Sequence, residues 1–439
     1  MSNPTQNPLS RVQLAVMAVA TAMIAATRYY SQPLLIEMSR SLHLTPSVIG
    51  LVPTLAQAGI ALGLLLFVPL GDTVERRRLT LTLLFALSCA LALTAAAVNT
   101  AMLLFGALLI GIFASVSQLI IGLAATLALP SRRGQVVGTV TAGLLIGVLS
   151  ARIVAGLLGG AFGWRVMYLT AALGMVGLTL VMALLLPLSR PRHTIAYPQL
   201  VWSLLLLARE QPELREASAL GALAFAAMNA FWTTLVFFIA RPPYHYGAAA
   251  AGLFGLAGIA GALGAPIVGR ISDRGRPRLA DSIALTLGLL AFVLLLATGR
   301  HLAGLIGGIV LLDLATQANL VSNQTRIYSL LPDAANRLNT LYMSSYFAGG
   351  ATGAAVGSLV WEHFGWPGLC AFGMALFATA LIVLARGKTP SSFQSTSTRS
   401  YEPDDLQHNA SSAILTSDAG VTVPPEVAST HLRAGIARH

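Results

Sequence analysis

The stretch Val68–Leu79, VPLGDTVERRRL, constrains this chain more than any other. An apolar run ends at Gly71, a turn-sized cluster carries Asp72, Glu75, Arg76, Arg77 and Arg78, and a second apolar run begins at Leu79. Two apolar runs joined by so short a basic loop read as membrane helices with the arginines in their connection. The same punctuation returns at Gly269–Leu279, GRISDRGRPRL, where Asp273 stands 201 positions after Asp72. A fold of two related halves is the expectation.

Composition points to the same solvent. Of 439 residues, 56% are hydrophobic and only 10% charged, whereas a soluble domain carries roughly 25% charged residues. In lipid every backbone polar group needs an internal partner, so runs of this length must be helices. They are too long, and too poor in period-two alternation, for barrel strands. The net charge of +11 comes from arginines between the runs, which suits an anionic membrane surface and gives no reason to invoke nucleic acid. Cys89 and Cys370 fall inside apolar runs, so no disulfide framework is expected. The first run, from Val12, is too long for a signal-peptide core and reads as a retained helix.

A crossing needs roughly 20 apolar residues. On that basis the sequence predicts an all-α integral membrane protein with twelve spans, at 12–36, 48–70, 79–98, 101–128, 136–161 and 166–187, then 217–240, 248–268, 279–298, 302–330, 338–361 and 367–385. The organisation follows: residues 1–11 a cytoplasmic N-terminus, 12–187 a first six-helix bundle, 188–215 a central cytoplasmic loop, 216–385 a second bundle, and 386–439 a tail. Within the central loop Gln199–Arg209 is amphipathic and expected along the membrane surface. The tail turns to Ser, Thr, Pro, Asp and Asn, a composition that cannot bury a core, and is expected to be disordered. With the N-terminus inside, inner loops hold Arg76, Arg77, Arg78, Arg132, Arg133, Arg190, Arg192, Arg209, Arg215, Arg270, Arg274, Arg276, Arg278 and Arg337. Outer loops hold Arg40, Arg165, Arg241 and Arg300. That asymmetry predicts both termini in the cytoplasm of a bacterial-type inner membrane.

The halves repeat in register. Pro130 is matched by Pro332, and Gly163-Trp164 by Gly365-Trp366, each 202 positions on. The same offset lays Gly147, Ala151 and Ala155 on Gly349, Gly353 and Gly357, small residues every four positions that let two helix backbones approach.

With these features in place, the chain resembles the major facilitator superfamily over residues 10–388, and its drug and metabolite efflux branch in particular. The family's loop between spans 2 and 3 looks like Gly-x-x-x-Asp-Arg-x-Gly-Arg-Arg. Gly269, Asp273, Arg274, Gly275 and Arg276 follow it one residue short, whereas the first copy keeps Asp72, Arg76 and Arg77 but has Val68, Thr73 and Glu75 at other motif positions. The resemblance implies two six-helix bundles around a central cavity that opens alternately to each side. It also implies a conformational gating role for Asp72 with Arg76 or Arg77, and for Asp273 with Arg274. Two departures stand out. Proton-coupled members carry an arginine in span 4 where this chain has Ala107, and exporters show Gly-Pro in span 5 where this chain has Ala151-Arg152. The export signature is incomplete; proton-coupled efflux of small molecules is the expectation on the strength of the resemblance, and uptake or exchange of a small organic anion is the alternative.

An ionisable group at mid-membrane costs at least ~2.5 kcal/mol on insertion scales, so each asks for a reason. Arg28 in span 1, Arg152 in span 5 and Asp313 in span 10 lie far from the span ends, and none recurs in the other half. Asp313 is the one carboxylate read as deep in the membrane. A carboxyl that meets water alternately from two sides can exchange a proton, so Asp313 is the candidate coupling acid, with a static ion pair to an arginine as the competing role. Arginine offers a planar fork suited to carboxylate or phosphate, so Arg28 and Arg152 are candidates for contact with an anionic or polar substrate or for control of the Asp313 proton. On span 10, Asp313, Thr316, Gln317, Asn319, Asn323, Gln324 and Arg326 cover about half the wheel, too polar for lipid. Gln317, Asn319 and Asn323, with Tyr29, Tyr30, Gln32, Asn229 and Trp232 on spans 1 and 7, complete the expected cavity lining.

No phosphate loop is present, since Ile382 stands where the first glycine before Gly387-Lys388-Thr389 belongs. No zinc-like Cys/His cluster and no nucleophile–base pair at short spacing appear. The expectation is a secondary transporter rather than an enzyme, without cofactor or metal, monomeric in membrane lipid, with a small molecule and protons as its partners. A transporter-like sensor that binds without flux is the alternative of a different class.

Overall fold

A computed structural model describes residues 9–187, 197–331 and 334–387. The described chain is built from helices: α1 (Arg11–Thr27), α2 (Ser31–Leu42), α3 (Pro46–Ile49), α4 (Leu51–Thr73), α5 (Arg76–Ala95), α6 (Thr100–Ala114), α7 (Val116–Leu127), α8 (Arg133–Phe162), α9 (Trp164–Leu185), α10 (Tyr197–Glu210), α11 (Pro212–Ile239), α12 (Ala248–Leu253), α13 (Gly255–Asp273), α14 (Pro277–Thr298), α15 (Leu302–Leu330) and α16 (Ala335–Arg386). Nine of the described helices are long and apolar enough to cross a bilayer, and the α1–α2 pair, bent by 40°, makes a tenth. The helix α16 carries two crossings, because Gly365 leaves helical geometry between them (φ 60°, ψ −150°). With the shorter apolar helix Ala248–Gly264, this fits the twelve crossings expected. Large apolar side chains such as Phe85, Leu184 and Leu263 point outward, as lipid-facing positions require. Residues 188–196, at the start of the central loop, and the tail from 388 lie outside the described residues.

The first crossing departs from the single helix expected over 12–36. It breaks at Arg28–Tyr30, between α1 and α2. Pro33 has no N–H to give the Tyr29 carbonyl, which accepts from the Gln32 amide at 3.3 Å. The break sets Arg28, Tyr29 and Tyr30 on irregular backbone midway through the bundle.

The repeat is visible in atomic detail. Arg77 donates through Nη2 to the Ala183 carbonyl, and Arg278 donates through Nη2 to the Leu384 carbonyl, donor and acceptor both shifted by 201. His43 and His245, 202 apart, each end a segment in left-handed geometry (φ 54° in both). Helix α8 packs on α1 through Gly147, where an added Cβ would lie 2.0 Å from the Ala22 carbonyl oxygen. Helix α16 packs on α11 in the same manner through Gly349, Gly353 and Gly357, the middle one 2.0 Å from the Ala226 oxygen on the same measure. Ala151, one turn after Gly147 on α8, is buried as well.

One end of the bundle carries the arginine-rich loops, and the opposite end carries the α2–α3 and α8–α9 connections. At the opposite end the halves are in contact. Ser47 at the start of α3 donates its amide to Glu362 at 2.8 Å, Gly50 abuts Ser358, and Gly156 of α8 abuts Ala248 and Gly252 of α12. At the arginine-rich end the bonds of Arg76, Arg77 and Arg278 described here stay within their own halves. There α10 lies against both α4 and α16, with the Tyr197 hydroxyl on the Leu66 carbonyl at 3.1 Å.

Candidate substrate and proton site

Midway between the two ends, residues from both halves converge. Arg28 (4% exposed), Arg152 (3%) and Asp313 (1%) are all buried. Arg152 donates Nε to the Gln32 side-chain oxygen at 2.7 Å, and its guanidinium carbon lies 3.9 Å from the Trp232 ring centroid and 5.1 Å from that of Tyr29. Such stacking contributes about 0.5–2 kcal/mol and holds the guanidinium plane. Arg28 lies 4.9 Å from the Phe347 centroid and 5.4 Å from that of Tyr29. Its Nε and Nη1 are buried without a hydrogen-bond partner, as is Asp313 Oδ2.

Helix α13 packs beside both charged residues. A Cβ on Gly255, its first residue, would sit 3.4 Å from the Arg152 Cβ, and one on Gly258 would sit 3.3 Å from the Asp313 carboxylate. Glycine at these positions lets α8 and α15 bring a cation and an anion to one turn of α13. Arg152 and Asp313 act on one another electrostatically, yet they form no ion pair within 4.0 Å.

Other expected site residues fall around this centre. Asn229 accepts from Gln57 Nε2 at 3.0 Å, a buried bond that joins the two halves. Tyr29 and Tyr30 are buried, and Tyr346 stacks on Phe225 with centroids 3.9 Å apart. A pocket lined by Gln32, Pro33, Arg152, Trp232, Leu235, Val236 and Ala251 opens beside Arg152. Gln317 is half-buried one turn from Asp313.

Asn319 and Asn323 take part in a second polar cluster nearer the arginine-rich end. Asn319 donates to Asp281 at 3.2 Å, and Asn323 donates to the Asn319 carbonyl at 3.0 Å. Asp281, fully buried, pairs with Arg326 at 3.2 Å; Arg326 also reaches Glu216 at 3.1 Å, and Glu216 pairs with Arg278 at 3.1 Å. Two carboxylates and two guanidiniums make this cluster electrically balanced. Asp281 lies inside the predicted span 279–298 but within a few residues of its start, where a carboxylate is cheaper than at mid-membrane and so does not stand out in the sequence.

Of the gating residues, Arg76 donates to the carbonyls of Gly71 (2.9 Å) and Gly122 (3.1 Å) and to the Thr126 hydroxyl (2.7 Å), tying α4, α5 and α7 together. Asp72 lies in the last turn of α4 and Asp273 ends α13, but their side chains lie outside the described structure. Arg274 is exposed.

Two pseudo-equivalent helical halves, with charges buried where they meet, define a small-molecule transporter of the membrane. The chain belongs to the Major Facilitator Superfamily, whose family model matches residues 17–311. It is 41% identical over 387 residues to the uncharacterized transporter YgaY of Escherichia coli O157:H7, covering 88% of this chain and 98% of that one. Among solved structures it is similar to a bacterial homolog of the human lysosomal transporter Spinster, in an inward-facing and occupied conformation. That match has a TM-score of 0.68 at 15% identity, over 86% of this chain and 96% of the other. It is similar too to the nucleoside transporter NupG, with a TM-score of 0.69 at 13% identity, over 85% and 98%. Family and relatives are transporters, not enzymes.

Proposed function

We propose that this chain is a proton-coupled secondary transporter working by alternating access in a bacterial inner membrane, with both termini cytoplasmic and Asp313 as the coupling acid. What carries the reading is Asp313 itself: a buried carboxylate with an unpartnered oxygen, beside Arg152 but not paired to it. An intramembrane acid held in this way marks a proton path. With the arginine-rich end inside, the contacts Ser47–Glu362 and Gly156–Gly252 close the outer side, so Asp313 would next meet cytoplasmic water.

Direction depends on what the cargo does to Asp313. A cargo that excludes the proton gives antiport and efflux, the direction suggested by resemblance to the efflux branch. A cargo that binds together with the proton gives uptake of an anion, and the unpartnered Arg28 donors favour that second reading. The test is accumulation by proteoliposomes under an imposed pH gradient. Wild type should accumulate its cargo against a gradient, and Asp313→Asn should only equilibrate it. Equal accumulation by both would overturn the proposal, and binding without flux would make the chain a sensor.

A further inference from the structure

We infer that the cargo is a small organic monoanion, a carboxylate or sulfonate seated on Arg28 and Arg152, and that it and the proton bind cooperatively. The inference rests on Asp313 as coupling acid and goes on to name the cargo and the sign of the coupling.

Charge counting carries the first step. The buried charged residues among those described are Arg28, Arg152, Asp313, Asp281 and Arg326. The last two pair with one another. The central site is left with two cations against one carboxylate, a net charge of +1 when all three are ionised. An uncompensated buried charge is costly, and one bound monoanion cancels it. A cationic cargo would add charge of the sign already in excess. The donors are in place: Arg28 Nε and Nη1 are buried and unpartnered. Phe347 and Tyr29 cover its guanidinium, a stacking that leaves the in-plane N–H groups for an anion.

The second step is linkage. The groups acting on Asp313 are Arg152 from α8 and the Trp232 indole from α11; Tyr346 from α16 feels the Asp313 charge in turn, while α13 presents glycine. An anion that occupies Arg152 takes from Asp313 the cation that favours its ionised form, and adds a negative charge nearby. Both effects draw a proton onto Asp313. By reciprocity the proton raises the affinity for the anion by the same factor. Cargo and proton then travel in one direction, which under an inward proton gradient is uptake.

The experiment is equilibrium binding to the purified full-length protein, read by tryptophan fluorescence and calorimetry, at pH 5.5 and 7.5. Probes are benzoate, benzenesulfonate, tetraphenylphosphonium and a neutral nucleoside. Benzenesulfonate stays ionised across the range, so its pH response reports the protein alone. The expected result is anion binding only, about tenfold tighter at the lower pH (coupling energies commonly correspond to about 5–150-fold), with protons taken up from a weakly buffered solution. Asp313→Asn should bind benzenesulfonate equally at both pH values, with the tight affinity. Arg28→Gln should weaken it at both, and Arg28→Lys should restore part of the loss. Binding of tetraphenylphosphonium with proton release would overturn the anion assignment while leaving Asp313 as coupling acid. Anion binding with no pH dependence and no proton uptake would overturn the cooperativity and the proton-coupling reading beneath it.

Discussion

Arg152 and Asp313 pack against one turn of α13, the first beside Gly255 and the second beside Gly258, and they do not form an ion pair. The glycines of α13 leave room for both residues, so α8 and α15 bring a cation and a carboxylate to neighbouring positions on it. A side chain at Gly258 would push on the Asp313 carboxylate, since even a Cβ would lie 3.3 Å from it. Gly258→Val should therefore lower proton-driven uptake by tenfold or more (about 1.4 kcal/mol per factor of ten) while counterflow survives. Wild-type coupling in this variant would show that Asp313 is not held against α13.

The halves stay together at the end away from the arginine-rich loops through Glu362, which lies between the two crossings of α16. Hydrogen bonds from the Ser47 hydroxyl and backbone amide hold its carboxyl below the ordinary carboxylate range. A carboxyl lowered in the closed state stabilises that state above its ordinary titration range, and the contribution is lost as pH falls through the lowered value. Glu362→Gln should mimic that loss and favour separation of the halves at this end. Spin labels at the exposed Val98 and Phe364 would read it as a longer distance population; an unchanged distribution at neutral pH would show that Glu362 is no latch.

Asp281 should matter for stability more than for cargo. Removing one partner of a buried ion pair costs about 3–5 kcal/mol. Arg326 retains Glu216 at 3.1 Å, so Asp281→Ala should fall at the lower end of that range, and Asp281→Asn should cost less because Asn319 remains within reach. Thermal unfolding in detergent checks this, and midpoints equal to wild type would remove Asp281 from the account.

Backbone contact between helices predicts a sharper failure. Gly147 and Gly353 have no room for a methyl group against Ala22 and Ala226, so Gly147→Val or Gly353→Val must force α1 from α8 or α11 from α16. Each should abolish the monodisperse peak in size-exclusion chromatography; a normal peak with full transport would show that these helices can separate without harm.

Much of this is legible in the sequence. Length and polarity alone required helices in lipid, and the 201-residue echo of Asp72 in Asp273 announced two halves that now share the bonds Arg77–Ala183 and Arg278–Leu384. Arg28, Arg152 and Asp313 stood out because each is costly where it lies. The break at Tyr29 was less visible, since one proline after three polar residues does not announce a bend. Asn319 and Asn323 share the polar face of α15 with Asp313 in the sequence, yet in the fold Asn319 bonds Asp281 on α14 and Asn323 bonds the Asn319 carbonyl within α15. Gln57 and Phe347 carried no signal at all: a lone glutamine and a lone phenylalanine in apolar helices become site residues only when α4 and α16 meet α11 and α1.

The most direct test of the central claim is proton movement across vesicles holding wild type or Asp313→Asn, with lightly buffered interiors and a panel of carboxylates, sulfonates, nucleosides, sugars and cationic drugs. The account predicts that one class of compound moves protons through wild type, and that Asp313→Asn moves none while still exchanging the same compound in counterflow. Proton movement in Asp313→Asn equal to wild type would contradict it.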